Sequence, residues 1–111
     1  MEKVIVINND RMGHGDEKLG TRLMANFLSK LIDAELKPQM ILLYNSGVKL
    51  AAKESPVLER LESLENLGVD IISCGTCVNF YGLADQIEAG RVTNMLEIVR
   101  VLTEAKATVT I

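Results

Sequence analysis

A chain of 111 residues makes one domain, long enough to bury a core without disulfide staples. Its 48% hydrophobic residues and mean hydropathy of +0.18 describe a globular protein, and no apolar run approaches the length needed to cross a bilayer. A net charge of −3 and only 4% aromatic residues leave no basic, base-stacking surface, so neither nucleic acid nor a membrane is an expected partner.

Met1-Glu2-Lys3 leads into Val4-Ile5-Val6-Ile7, too short for the apolar core of a signal peptide and without a small-residue cleavage site, so a cytoplasmic location is expected. Residues 3–8 are a β-branched run of strand length closed by Asn and Asp, which predicts a buried first strand. From Asp16 the period changes. Leu19, Leu23, Phe27 and Leu31 fall on one line at i, i+4, with Met24, Leu28 and Ile32 beside it, predicting an amphipathic helix to about Ala34. Pro38 bars continuation, and Met40-Ile41-Leu42-Leu43-Tyr44 predicts the second strand.

Ser46-Gly47 opens a helical stretch that reads as two pieces divided near Ser55-Pro56. Ser55 is the expected N-cap of the second, with Pro56 at its first position and Leu58, Leu61, Leu64 and Leu67 recurring after it. Gly68 is the expected stop. Val69 to Ser73 predicts the third strand, followed by Cys74-Gly75-Thr76-Cys77 and a short helix ending at Tyr81 and Gly82. Gly90-Arg91-Val92 predicts a brief fourth strand. Asn94 with Glu97 three positions on resembles a capping box for a helix that presents Met95, Ile98, Val99 and Leu102 to the core, and Ala107 to Ile111 closes the chain as a final strand.

Strands alternate with helices over connections long enough for crossovers. The expected fold class is therefore α/β, a single domain over residues 1–111 with a largely parallel sheet of about five strands and helices on both faces. Such sheets bind ligands beyond the carboxyl ends of their strands. That rule gathers Asn8, Asn9, Asp10 and Arg11 after the first strand, Asn45 and Ser46 after the second, Cys74, Gly75, Thr76 and Cys77 after the third, and Thr93 and Asn94 near the fourth. The result is a polar rim holding the chain's only two cysteines. A close thiol pair where a strand hands over to a helix, in a reducing compartment, points to reactive rather than structural sulfur. With Cys74 as the helix N-cap, the N–H groups of Thr76 and Cys77 are expected to face its sulfur and make it react before Cys77.

Four stretches, NNDRMGHGDEKLG at 8–20, YNSGVKLA at 44–51, VDIISCGTCVNFYGL at 69–83 and GRVTNM at 90–95, carry a resemblance. The chain resembles the DsrE-like sulfurtransferase family, and most closely the carboxy-terminal domain of YedF-type selenium-metabolism proteins. The resemblance implies a three-layer α/β/α sandwich, assembly into trimers or hexamers, and relay of sulfur, or by analogy selenium, as a cysteine persulfide or perselenide. It places the sulfur-bearing cysteine on Cys74, eight residues before Gly82, and leaves Cys77 to displace the cargo as a resolving thiol. Asn8, Asn9, Asn45, Ser46, Gly75, Thr76, Thr93 and Asn94 are the expected substrate-binding residues. The partners implied are sulfur or selenium donor and acceptor proteins, including a TusA-like protein; YedF-type proteins typically carry a TusA-like domain ahead of this one.

Two other classes stand beside this reading. A thioredoxin-like dithiol oxidoreductase shares the C-x-x-C signal, but the sequence has no tryptophan, and neither Pro38 nor Pro56 is placed to sit opposite the thiols. A non-catalytic assembly module would use both cysteines as core filler. Gly13-His14-Gly15-Asp16 lacks phosphate-loop spacing and reads as a turn ending in an Asp16 cap, with His14 as a weak candidate base for Cys74. One cysteine pair and His14 leave a zinc site one ligand short, so neither a metal nor a cofactor is expected. Tyr44 and Tyr81 suit packing as well as they suit the site.

Overall fold

The computed structural model describes residues 2–111; Met1, where the opening segment begins, lies outside the described residues. Five parallel strands form one sheet: β1 (Lys3–Ile7), β2 (Met40–Leu43), β3 (Asp70–Cys74), β4 (Arg91–Thr93) and β5 (Ala107–Thr110), in spatial order β4-β3-β2-β1-β5. The registers are continuous across the centre, with Ile5 beside Ile41 and Ile41 beside Ile71. Every residue of β2 is buried, as both faces of a parallel strand must be when helices cover them.

Four α-helices connect the strands: α1 (Glu17–Asp33), α2 (Leu58–Asn66), α3 (Gly75–Phe80) and α4 (Met95–Glu104). The first three crossovers step the same way along the sheet, whereas the last returns from β4 to β5 at the opposite edge. Right-handed connections therefore put α1, α2 and α3 on one face and α4 on the other. This is a three-layer α/β/α sandwich. On the crowded face α1 packs on α2, and the segment Asn45–Ala51 packs on both α2 and α3.

The caps show which sequence signals were sufficient. Asp16 caps α1 through Leu19 N–H at 2.9 Å, and Asn94 caps α4 through Glu97 N–H at 2.9 Å. Gly68 ends the α2 turn at φ +100°. The expectations are refined at four places. The helical stretch expected from Ser46-Gly47 is present, as a 3₁₀ helix over Asn45–Ala51. Ser55 does not cap α2: its hydroxyl accepts from Val57 N–H at 3.1 Å in a tight local turn, and the helix starts at Leu58. On α4 the buried residues are Ile98 and Val101, while Met95, Val99 and Leu102 face outward. α1 is likewise centred on Met24 and Leu28, with Leu19 and Leu23 at its exposed margin.

Candidate functional site

The two cysteines lie at the carboxyl edge of the sheet, where β3 ends beside β4. Chain leaving β3 continues on the crowded face and chain leaving β4 continues on the face of α4, so a topological switch point falls between these two strands. Cys74 pairs with Thr93 there, as the last residue of β3 and the N-cap of α3. Gly75 is required at the join, because a Cβ on it would lie 2.7 Å from the Thr93 carbonyl oxygen.

The two cysteines differ in surroundings. Cys74 is 1% exposed and belongs to the core, and its side chain makes no capping hydrogen bond to α3, contrary to the expected role of the helix N–H groups. Cys77 is half-buried one helical turn on, three residues after Cys74 on the short helix α3; both are free thiols. Burial pushes the Cys77 thiol up from its ordinary value, and the neighbouring Cys74 sulfur adds to this. An opposing influence comes from Asn45, whose backbone N–H donates to Cys77 Sγ at 3.1 Å.

Asn45 can do this because it takes a left-handed conformation, φ +51°, which Asn tolerates better than most residues. Its side-chain oxygen accepts from the Tyr81 hydroxyl at 3.0 Å. The Tyr81 ring in turn carries the Lys49 ammonium 4.5 Å from its centroid and meets Phe80 edge-on. Asn45, Thr76, Cys77, Phe80 and Tyr81 together line an open, mostly apolar cavity of about 280 Å³.

Of the residues expected to bind substrate, Asn45 and Thr76 line this cavity, while Gly75 packs against Thr93 of β4. The rest serve the framework. Asn8 donates to the Tyr44 hydroxyl at 3.2 Å, Asn9 accepts from Arg11 N–H at 2.9 Å, and Ser46 accepts from Asp10 N–H at 3.2 Å. Thr93 bonds Glu97, and Asn94 is occupied as the α4 cap. His14 lines a separate depression with Asn9 and Arg11. Phe80 and Lys49 are residues that sequence reasoning did not place in the site, and Tyr81 is one that it left open between packing and the site. The available signal was position, since Phe80 and Tyr81 sit one turn beyond Cys77 on a helix too short to turn them away. Among the described residues no three His, Cys, Asp or Glu side chains converge as a metal site, and no helix is long and apolar enough to cross a membrane.

The DsrE/DsrF-like family matches residues 1–111, the full length of the sequence. The chain belongs to this family. Three solved structures share its fold. A protein of unknown function from Methanobacterium thermoautotrophicum, MTH1491, is 23% identical with a TM-score of 0.66, the match covering 96% of this chain and 97% of that one. The ychN protein from E. coli is 17% identical with a TM-score of 0.67 and full coverage of both chains. A conserved protein of unknown function from Bacteroides thetaiotaomicron, BT1422, is 17% identical with a TM-score of 0.67, covering 98% of this chain and 94% of that one. No curated protein matches the sequence.

Proposed function

We propose that this member of the DsrE/DsrF-like family is a sulfur carrier, taking a sulfane sulfur from a donor persulfide and handing it to an acceptor thiol through Cys74 and Cys77. The observation that carries the reading is two free thiols one helical turn apart at the carboxyl end of β3, the outer one opening on a cavity. In the chemistry, a cysteine thiolate attacks the outer sulfur of a donor R–S–SH, the donor leaves as R–S⁻, and the carrier cysteine becomes a persulfide; the acceptor thiolate repeats the step in reverse order. Nothing is oxidised overall, so no redox cofactor is needed. Donor and acceptor are proteins of the relay, a TusA-like protein among them, and the self-association implied by the family resemblance belongs to the same reading. Selenium, carried as a perselenide, is the finer version suggested by YedF-type relatives.

Intact-mass spectrometry after incubation with inorganic polysulfide and removal of excess donor tests this. The expected result is a gain of one sulfur mass, lost on treatment with a thiol reductant. A dithiol oxidoreductase would instead lose two hydrogens and form a Cys74–Cys77 disulfide, and an assembly module would keep its mass. Either outcome overturns the carrier reading. Repeating the incubation with a glutathione donor that carries selenium as R–S–SeH, from which the thiolate R–S⁻ leaves, decides between the cargoes.

A further inference from the structure

The cavity is lined by Cys77 and not by Cys74, which is 1% exposed and packed in the core. A donor approaching from solvent meets only one sulfur. At about 280 Å³ the cavity lies at or below the lower end of the range for small-molecule sites, roughly 300–1,000 Å³, and suits a single side chain or short thiol rather than an extended ligand. One helical turn behind the exposed sulfur stands the buried Cys74 thiol, and in front of it the Asn45 backbone N–H is fixed on Cys77 Sγ.

We propose that the two cysteines are successive stations: sulfane sulfur is accepted by Cys77 at the cavity and then moved inward to Cys74, where the core shields it. This rests on the carrier reading above and adds direction to it. In the first step the Cys77 thiolate attacks the outer sulfur of the donor, giving Cys77–S–SH and the donor thiolate. In the second, the Cys74 thiolate attacks the outer sulfur of that persulfide. The bond from Cys77 Sγ to the sulfane sulfur breaks, a bond from Cys74 Sγ to it forms, and Cys77 leaves as a thiolate. The proton on the transferred sulfur passes to Cys77, leaving Cys77–SH and Cys74–S–S⁻, so charge and electrons balance.

The leaving sulfur of the second step is the one that receives the Asn45 N–H. A hydrogen bond to a departing thiolate lowers the cost of its negative charge, and thiol exchange runs faster with a better leaving group. The left-handed backbone of Asn45 aims that N–H, and the Tyr81 hydroxyl pins the side chain that keeps it there. Asn45 is therefore a positioning residue for the inward transfer. Burial then gives Cys74 the property a carrier needs: its persulfide is out of reach of adventitious thiols until the acceptor occupies the cavity and draws the sulfur back through Cys77.

The test loads the full chain from persulfidated glutathione, stops the reaction at intervals by alkylation under non-reducing conditions, and localises the added sulfur by fragmentation mass spectrometry. In the parent protein the adduct is expected on Cys77 first and on Cys74 later. Cys74→Ser is expected to load at the parental initial rate but to lose its sulfur to added glutathione roughly tenfold faster, and Cys77→Ser to load roughly tenfold more slowly. Cys77→Ala, which removes the polar atom as well, guards against a serine-specific folding defect and is expected to match Cys77→Ser. An adduct confined to Cys74 from the earliest time, or Cys77 variants that load as fast as the parent, would overturn the two-station scheme while leaving the carrier reading intact. A parent protein that takes up no sulfur sinks the carrier reading itself, and a Cys74→Ser variant that never loads makes Cys74 the sole acceptor.

Discussion

Cys77 stands between opposing influences: burial and the neighbouring Cys74 sulfur hold its proton on, and the Asn45 N–H favours its thiolate. Removing each influence has a definite sign. Alkylation of Cys77 followed against pH is expected to inflect above the ordinary thiol value of about 8.5 in the parent protein. The inflection should fall in Cys74→Ser, which removes a raising influence, and rise in Asn45→Ala, where a residue poorly suited to φ +51° takes the N–H off the sulfur. Asn45→Gly keeps the left-handed conformation and the N–H but loses the Tyr81 tether, and its profile should fall between those of the parent and Asn45→Ala. Identical profiles in parent and Asn45→Ala would reduce Asn45 to a turn residue. At this scale the sequence made the cysteine pair, Asn45 and Thr76 legible, because the carboxyl-end rule needs only strand boundaries. The burial of Cys74 was not legible. It depends on how the 3₁₀ segment and α3 close over the end of β3, which is tertiary packing with no local signature.

The elements around β4 are tied by charge as well as by the backbone ladder. Arg91 donates to both oxygens of Glu97 at 2.9 Å and to both oxygens of Asp70 at 3.1 and 3.3 Å, linking β4 to α4 and β3. Those bonds from Arg91, with a further one from Thr93, lower the Glu97 carboxyl to about 2. A carboxylate held below its unfolded value, about 4.3, adds stability that is complete above that pH and is lost as pH falls toward 2. Glu97→Gln is therefore expected to melt at a lower temperature at neutral pH, by the equivalent of about 1 kcal/mol for a partly exposed bidentate pair, and to show a flatter acid limb between about pH 4.3 and 2. Parallel acid limbs in variant and parent would show that Glu97 adds nothing through its charge. The same residue explains a partial success of sequence reading. Asn94 and Glu97 marked the start of α4 correctly because capping is local, yet the Glu97 side chain is drawn away from the cap by Arg91, a partner six residues back that the capping pattern does not include.

For the molecule as a whole, the layer built by α4 is incomplete. A single ten-residue helix covers the second face, and it turns only Ile98 and Val101 inward; Met95, Leu96, Val99 and Leu102 form an outward apolar stripe, with Leu96 81% exposed. Sequence periodicity assigned Met95, Val99 and Leu102 to the core because a helix apolar on two sides offers no internal clue to which side meets the sheet. Such a stripe is costly in water unless something covers it. A second copy of the chain is the occupant expected from the homo-oligomeric reading, and a closed trimer or hexamer would repeat the contact without leaving a free stripe. Static light scattering at micromolar concentration should then give a multiple of 12.2 kDa, and Leu96→Glu combined with Val99→Glu should shift the mass toward a single chain while the circular dichroism of the fold persists. Both substitutions lie on the helix surface, away from Ile98 and Val101, so the fold has no reason to fail with the contact. A parent mass of 12.2 kDa removes self-association, and an assembly that survives both charges places the interface elsewhere than α4. The cysteine cavity is built from the 3₁₀ segment and α3 with the Tyr81 that follows it, on the face opposite α4, so a dissociated variant should still load sulfur at the parental rate.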